Sequence, residues 1–88
     1  MGQKPMSLVY AIKSLKKERI YVGHTQDIEI RLKYHNSGYV RSTAKYRPWI
    51  LIALKEVKNK NEARWIERGL KESRGKRMKW IEQNSIEY

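Results

Sequence analysis

Five side chains carry the chemistry this sequence can offer: Tyr10, Tyr21, Arg31, His35 and Glu67. Tyr10 and Tyr21 stand in two short runs rich in β-branched and aromatic residues, 8–14 and 19–23. A buried phenol needs a hydrogen-bond partner, so two of them are either ordinary sheet packing or a pair able to polarise and deprotonate a water. Arg31 carries a planar fork suited to a phosphate, or it is a surface arginine on an amphipathic helix. His35 is a candidate general acid or base, or a favourable charge late in a helix. Glu67 shares an apolar stripe with Ala63 and Leu70, where carboxylates rarely sit unless paired or metal-bound. It reads either as an ion pair with Arg64 or Lys71, or as an oxygen ligand for Mg²⁺ or Mn²⁺, which take few carboxylates beside phosphate and water.

The elements that must position these residues follow from the pattern. The runs 8–14 and 19–23 read as a β-hairpin around the charged turn 15–18. In the first run Leu8, Tyr10 and Ile12 alternate with Val9 and Ala11, so both faces are apolar and the strand belongs in the middle of a sheet. In the second, Ile20 and Val22 share one face and Tyr21 and Gly23 the other. Gly23 leaves room for a neighbouring group. Thr25 or Asp27 caps a helix in which Ile28 and Leu32 form a core stripe and Arg31 and His35 share a neighbouring face. Gly38 stops it in the left-handed conformation. Residues 39–48 form a basic loop, and 49–57 read as a third strand entered from Pro48. Asn59 and Glu62 have capping-box spacing, opening a helix that buries Ala63, Ile66 and Leu70. A break is expected near 73–75, then a short helix over 76–84 with Met78 and Ile81 inward and Trp80 at its edge. The order β-β-α-β-α-α predicts an α+β sandwich: a three-stranded, mainly antiparallel sheet flanked by helices.

Composition bounds the function. The 88 residues make one domain with one small core; there is no cysteine, hence neither a disulfide framework nor a thiolate metal site. We expect a leader at 1–6, a single domain over 7–84 and a tail at 85–88. No apolar run suggests a signal peptide or a membrane span, so a soluble, cytoplasmic protein is expected. The net charge of +11 favours a polyanionic partner, nucleic acid before an anionic membrane surface. From Ile30 to Lys55 there are six Lys or Arg and no acid.

Taken in order, these pieces resemble the GIY-YIG nuclease domain, in particular its small stand-alone members, which are similar to the N-terminal domain of the nucleotide-excision-repair incision subunit. The first motif reads LVY at 8–10 and the second YVG at 21–23. The helix reads RLKYH at 31–35, the basic loop NSGYVRSTAKYRPW at 36–49, and the carboxylate-bearing helix NEARWIERGLK at 61–71. The resemblance spans nearly the whole chain. Three positions depart from the family pattern: Leu8 replaces the first-motif glycine, His24 replaces a lysine that follows the second motif in repair members, and Lys79 stands near the place of an asparagine.

The resemblance implies a divalent-metal-dependent endonuclease that hydrolyses DNA phosphodiester bonds, in repair or recombination. Tyr10 and Tyr21 would be the active-site phenols, one assisting deprotonation of the attacking water. Arg31 would hold the scissile phosphate, and His35 would contact the phosphate, the water or Tyr10. Glu67 would bind a single Mg²⁺ or Mn²⁺. Gly23 would be structural. Lys13, His24, Arg41, Lys45 and Arg47 are the expected nucleic-acid-binding residues, with a further basic cluster over 64–79. Lacking an added recognition domain within the sequence, the chain would be weakly specific or would use a protein partner for targeting. The alternative is a non-catalytic nucleic-acid-binding module that retains the fold; a third reading is a basic interaction protein without a nucleic-acid role.

Overall fold

The computed structural model describes residues 6–86. Three strands, β1 (Ser7–Ser14), β2 (Ile20–Thr25) and β3 (Trp49–Val57), alternate with α1 (Ile28–Ser37), α2 (Lys60–Glu72) and α3 (Arg74–Gln83) in the order β1-β2-α1-β3-α2-α3. A single 3-10 turn, Ala44–Tyr46, lies in the loop before β3. The sheet order is β2-β1-β3 and both pairings are antiparallel. The strand expected in the middle is in the middle. Tyr10 faces Gly23 on one side and Leu54 on the other.

The central strand divides the core into two layers. Val9 and Ala11 pack with Val22, Ala53 and Val57 under Ala63 and Leu70 of α2, with Trp80 and Ile81 of α3 alongside. Tyr10, Ile12 and Trp49 pack on the opposite face, where Ile28 and Leu32 of α1 and Tyr21 of β2 are half-buried against them. The protein is therefore an α+β sandwich with α1 on one face of the sheet and α2 and α3 on the other. Met78 is the exception to the expected inward set: it is 45% exposed, while Trp80 and Ile81 carry the packing of α3. A ten-residue helix laid on a face already roofed by α2 has room for one narrow stripe, and Trp80 with Ile81 fill it.

Helix ends are set by local chemistry. The Asp27 carboxylate accepts from the Ile30 N–H at 3.1 Å and opens α1. Asn59 accepts from the Glu62 N–H at 2.9 Å and opens α2. Glu62 does reach back, but to the Lys58 N–H rather than that of Asn59. The expected break is at Ser73, which ends α2 and caps α3 through the Lys76 N–H; Gly75 lies inside α3. Register slips between Ala11 and Ile12 on the β3 side, so Ile52 bulges. Residues beyond α3 cover that outer edge: Leu54 N–H donates to the Asn84 carbonyl, Ser85 bridges Ala53, and Ile86 N–H donates to the Ile52 carbonyl. The edge is thus paired and not left open.

Gly38 closes α1 at φ 87°, its N–H bonded to the Tyr34 carbonyl, with the Arg47 guanidinium packed where a side chain would begin. An L-residue in that region costs roughly 1–2 kcal/mol before any clash. Gly38→Ala is expected to lower stability by about 2 kcal/mol, read as a shift of the urea midpoint at unchanged slope.

Candidate active site

The site is built around the Tyr10 hydroxyl. Tyr10 has no exposed surface, because it lies on the central strand beneath α1. Arg31 Nε donates to its oxygen at 3.4 Å, and His35 Nε2 lies 2.8 Å away. An arginine only donates, so the phenol proton must go to His35 Nε2. His35 Nδ1 then carries the ring proton and donates it to Thr43 Oγ1 at 2.8 Å, while the Thr43 hydroxyl donates to the Val40 carbonyl at 3.3 Å. The tautomer of His35 is set by this chain of partners. Thr43 is held in turn: its carbonyl accepts from Trp49 Nε1 at 2.9 Å, and Asn36 grips the Trp49 backbone through both its amide N–H and its carbonyl.

Burial governs the protonation states. His35 is fully buried; desolvation, with the Arg31 charge second, lowers its pKa from 6.5 to about 4. It is a neutral imidazole at physiological pH. Desolvation likewise pushes the Tyr10 phenol up from 10.0 to about 12, against the hydrogen bond from Arg31 that pulls it down. Arg31 is held even more firmly cationic, first by its bond to Tyr10 and to a smaller extent by the nearby Tyr21. The Tyr21 ring centre lies 5.0 Å from that of His35 and 6.3 Å from that of Tyr10, tilted to both, but the residue is only half-buried.

Gly23 is opposite Tyr10 on β2, and the tyrosine occupies the space a side chain there would need. A Cβ at Gly23 would come within 2.6 Å of the Tyr10 oxygen. The room expected beside this glycine is filled by the phenol itself.

Glu67 approaches from α2. It is mostly buried, and both oxygens are engaged: Oε1 with His24 Nδ1 at 2.5 Å and Oε2 with Lys71 Nζ at 2.7 Å. Burial alone would raise its pKa; the bonds from Lys71 and His24 outweigh this and hold it below the usual carboxylate range. Lys71 also lies 5.4 Å over the Tyr21 ring, which ties the carboxylate to the phenol pair around the β2 edge. A cleft of ≈ 410 Å³ adjoins this group, and His24, Thr25, Arg31, Tyr34 and Lys60 are among its walls. Arg31 and His24 thus face the opening, Tyr21 and Glu67 sit beside them, and Tyr10 and His35 are sealed behind.

The donor set fits a hard divalent cation in one form only. No group of three or more His, Asp or Glu able to hold a metal exists among the described residues. Glu67 is one carboxylate whose oxygens each keep a second acceptor position, which suits Mg²⁺ or Mn²⁺ completed by phosphate and water oxygens, not a cage made by the protein.

The family model of the GIY-YIG catalytic domain matches residues 6–80. The chain belongs to the GIY-YIG family. No curated protein matches it. Family membership indicates a nuclease-type domain whose substrate is a nucleic acid.

Within this GIY-YIG domain the other expected contact residues scatter. His24 is at the site, paired with Glu67. Lys13 lies near the hairpin turn, lining a different cleft with Arg19, Arg74 and Arg77. Lys45 and Arg19 stack on the Tyr46 ring, at 5.5 and 4.7 Å. Arg47 packs over the end of α1, and Arg41 is an exposed loop residue. His35, with both nitrogens bonded and no exposed surface, meets Tyr10 and not an incoming phosphate. Thr43, Lys71 and Lys60 were not foreseen as site residues. Lys71 was visible only as an ion-pair partner one helical turn from Glu67, and nothing in the loop sequence marks Thr43.

The depressed pKa of His35 has a pH signature. An unfolded histidine takes up its proton near pH 6.5, whereas the folded one resists until about pH 4. The stability this neutral state contributes is complete above pH 6.5 and falls as pH drops through 4, by on the order of 3 kcal/mol. Urea unfolding across that window should show the loss, and His35→Asn should flatten it.

Proposed function

We propose that this chain is a divalent-metal-dependent endonuclease that hydrolyses phosphodiester bonds, with DNA as its substrate and repair or recombination as its setting. The observation that carries the reading is that three different elements bring Arg31 and the His24–Glu67 pair to one open cleft, with Tyr21 joined to Glu67 through Lys71.

Exposure divides the labour between the phenols. Tyr21 has surface to meet a water; Tyr10 has none. In our reading the Tyr21 oxygen accepts a hydrogen bond from the attacking water, whose proton passes to solvent as the water oxygen bonds to phosphorus, while the bond to the sugar oxygen breaks and that oxygen takes up a proton from solvent. Arg31 binds the phosphate and offsets the charge that accumulates on its oxygens. Tyr10 is a positioning residue: its oxygen receives Arg31 Nε–H, and its own proton is fixed on His35. Glu67 would hold the metal ion, which when bound supplies Lewis-acid stabilisation of the phosphoryl and leaving oxygens. Lys60 faces the same opening and favours the polyanion there.

A second reading, a nucleic-acid-binding module without turnover, is favoured by one observation: both Glu67 oxygens are already bonded to His24 and Lys71. The two readings separate on one assay. Labelled duplex, single-stranded and branched DNA are incubated with the protein in Mg²⁺, Mn²⁺ or EDTA. Metal-dependent cleavage is expected, abolished in Glu67→Ala and Arg31→Ala. Tyr21→Phe should lower kcat by roughly 10²–10⁴-fold. Tyr10→Phe should cost less in rate but about 1–3 kcal/mol in stability, since His35 Nε2 is left without a donor. Salt-sensitive binding with no cleavage in any metal establishes the second reading; no binding at low salt sinks both.

A further inference from the structure

A second cleft, of ≈ 420 Å³, opens between the hairpin turn and α3. Lys13, Arg19, Arg74 and Arg77 line it against a single acid, Glu18. Among the described residues none of these four cations pairs with a carboxylate. Arg77 is committed in part, with Nη1 donating to the Leu70 carbonyl at 3.1 Å. Lys13, Arg19 and Arg74 are exposed.

Two features set this group apart from the general positive charge of the surface. Arg74 occupies the first turn of α3, where no acid is present. The helix dipole disfavours a cation there, so local stability does not explain the residue. Four like charges around one concavity also reinforce each other's potential, which local stability does not explain either.

The cleft lies at the other end of the sheet from the first. Ser7 lines the first cleft and Lys13 the second, six residues along the same strand. That is about 20 Å. α2 follows the same line, with Lys60 at the first cleft, Glu67 and Lys71 in the middle, and Arg74 just past its end at the second. A stacked nucleic-acid strand advances about 3.4 Å per phosphate, so the step between the clefts corresponds to about six nucleotides.

We infer that this cleft binds backbone phosphates of the same nucleic-acid strand, about six nucleotides along from the phosphate held at Arg31. The inference rests on the nuclease reading for the position of the bound strand. Its chemistry is charge neutralisation without base readout, so it sets orientation and footprint and not sequence preference.

The test measures anisotropy of two labelled single-stranded DNAs across a salt titration. One strand is long enough to span both clefts; the other covers only the cleft at Arg31. The variant is Lys13→Glu/Arg74→Glu; both residues are exposed, and an acid at position 74 suits the first turn of α3. Far-UV circular dichroism verifies its fold. The control, Lys33→Glu/Lys55→Glu, makes the same charge change at exposed positions outside both clefts. We expect the variant to bind the long strand about tenfold more weakly and to reduce the slope of log K against log salt by about 1.4, the value for two lost single-strand contacts. Binding of the short strand should be unchanged. Equal losses on both strands, or in the control, would mark a general charge effect and overturn the inference. A wild-type protein that cleaves DNA while the variant binds like it overturns the cleft alone; a wild-type protein that binds no DNA overturns the functional reading with it.

Discussion

Much of this structure depends on one hydroxyl group that has no water to bond. Tyr10 lies on the central strand with α1 above it, and an unpaired phenol there would cost about 1–3 kcal/mol. Satisfying it recruits a column of residues far apart in sequence. Gly23 must lack a side chain so that the ring fits. His35 must be neutral and must present Nε2 as an acceptor. That requires Nδ1 to carry the proton and Thr43 to receive it. Thr43 is fixed because Trp49 and Asn36 fix it, which ties α1, the basic loop and the start of β3 together. The basic loop is thus held from within, although its outer surface is charged.

The second face obeys a different constraint. Glu67 is a mostly buried carboxylate in a chain of net charge +11, and such a group is stable only with a cation or hydrogen-bond donors close by. His24 comes from the face of β2 opposite to Tyr21, and Lys71 reaches the Tyr21 ring itself. The edge strand is therefore where the two layers of the sandwich meet electrically. β2 is short, ends at Thr25, and carries a glycine in place of a side chain at its critical point. A site that needs groups from both sides of a sheet is most easily assembled at such an edge.

Periodicity made the frame legible. β3 was bounded to the residue, β1 was recognised as central because both of its faces are apolar, and Asp27, Gly38 and Asn59 announced their helix ends through side-chain chemistry that acts over three or four residues. The five candidate site residues were legible for a different reason: their order and spacing match a family, and each alone had an ordinary reading. What stayed hidden was long-range. Thr43 depends on a partner eight residues away across a loop, and no period links them. The separation of Lys13 from the cleft at Arg31 follows from strand register, which composition does not encode. Met78 was misplaced because α3 has only a narrow contact with the sheet, so a helical stripe drawn from spacing alone was too wide.

The two layers also differ in what they are made of. Aliphatic residues fill the layer under α2, whereas the layer under α1 has Tyr10, His35 and Thr43 among its fully buried side chains. His35 is the one fully buried residue of α1; Ile28 and Leu32 are half-covered. The helix that carries Arg31 is thus attached to the sheet in large part through the hydrogen bonds that orient Arg31. In a larger protein a core could hold that helix and leave the polar network free to vary. A domain matched over residues 6–80 has too little buried area for such a division. Stability and site geometry are consequently carried by the same residues here, and a change that loosens His35 or Thr43 moves Arg31 as well as weakening the fold. Tolerance to substitution should therefore be concentrated in the layer under α2, where packing volume alone has to be kept.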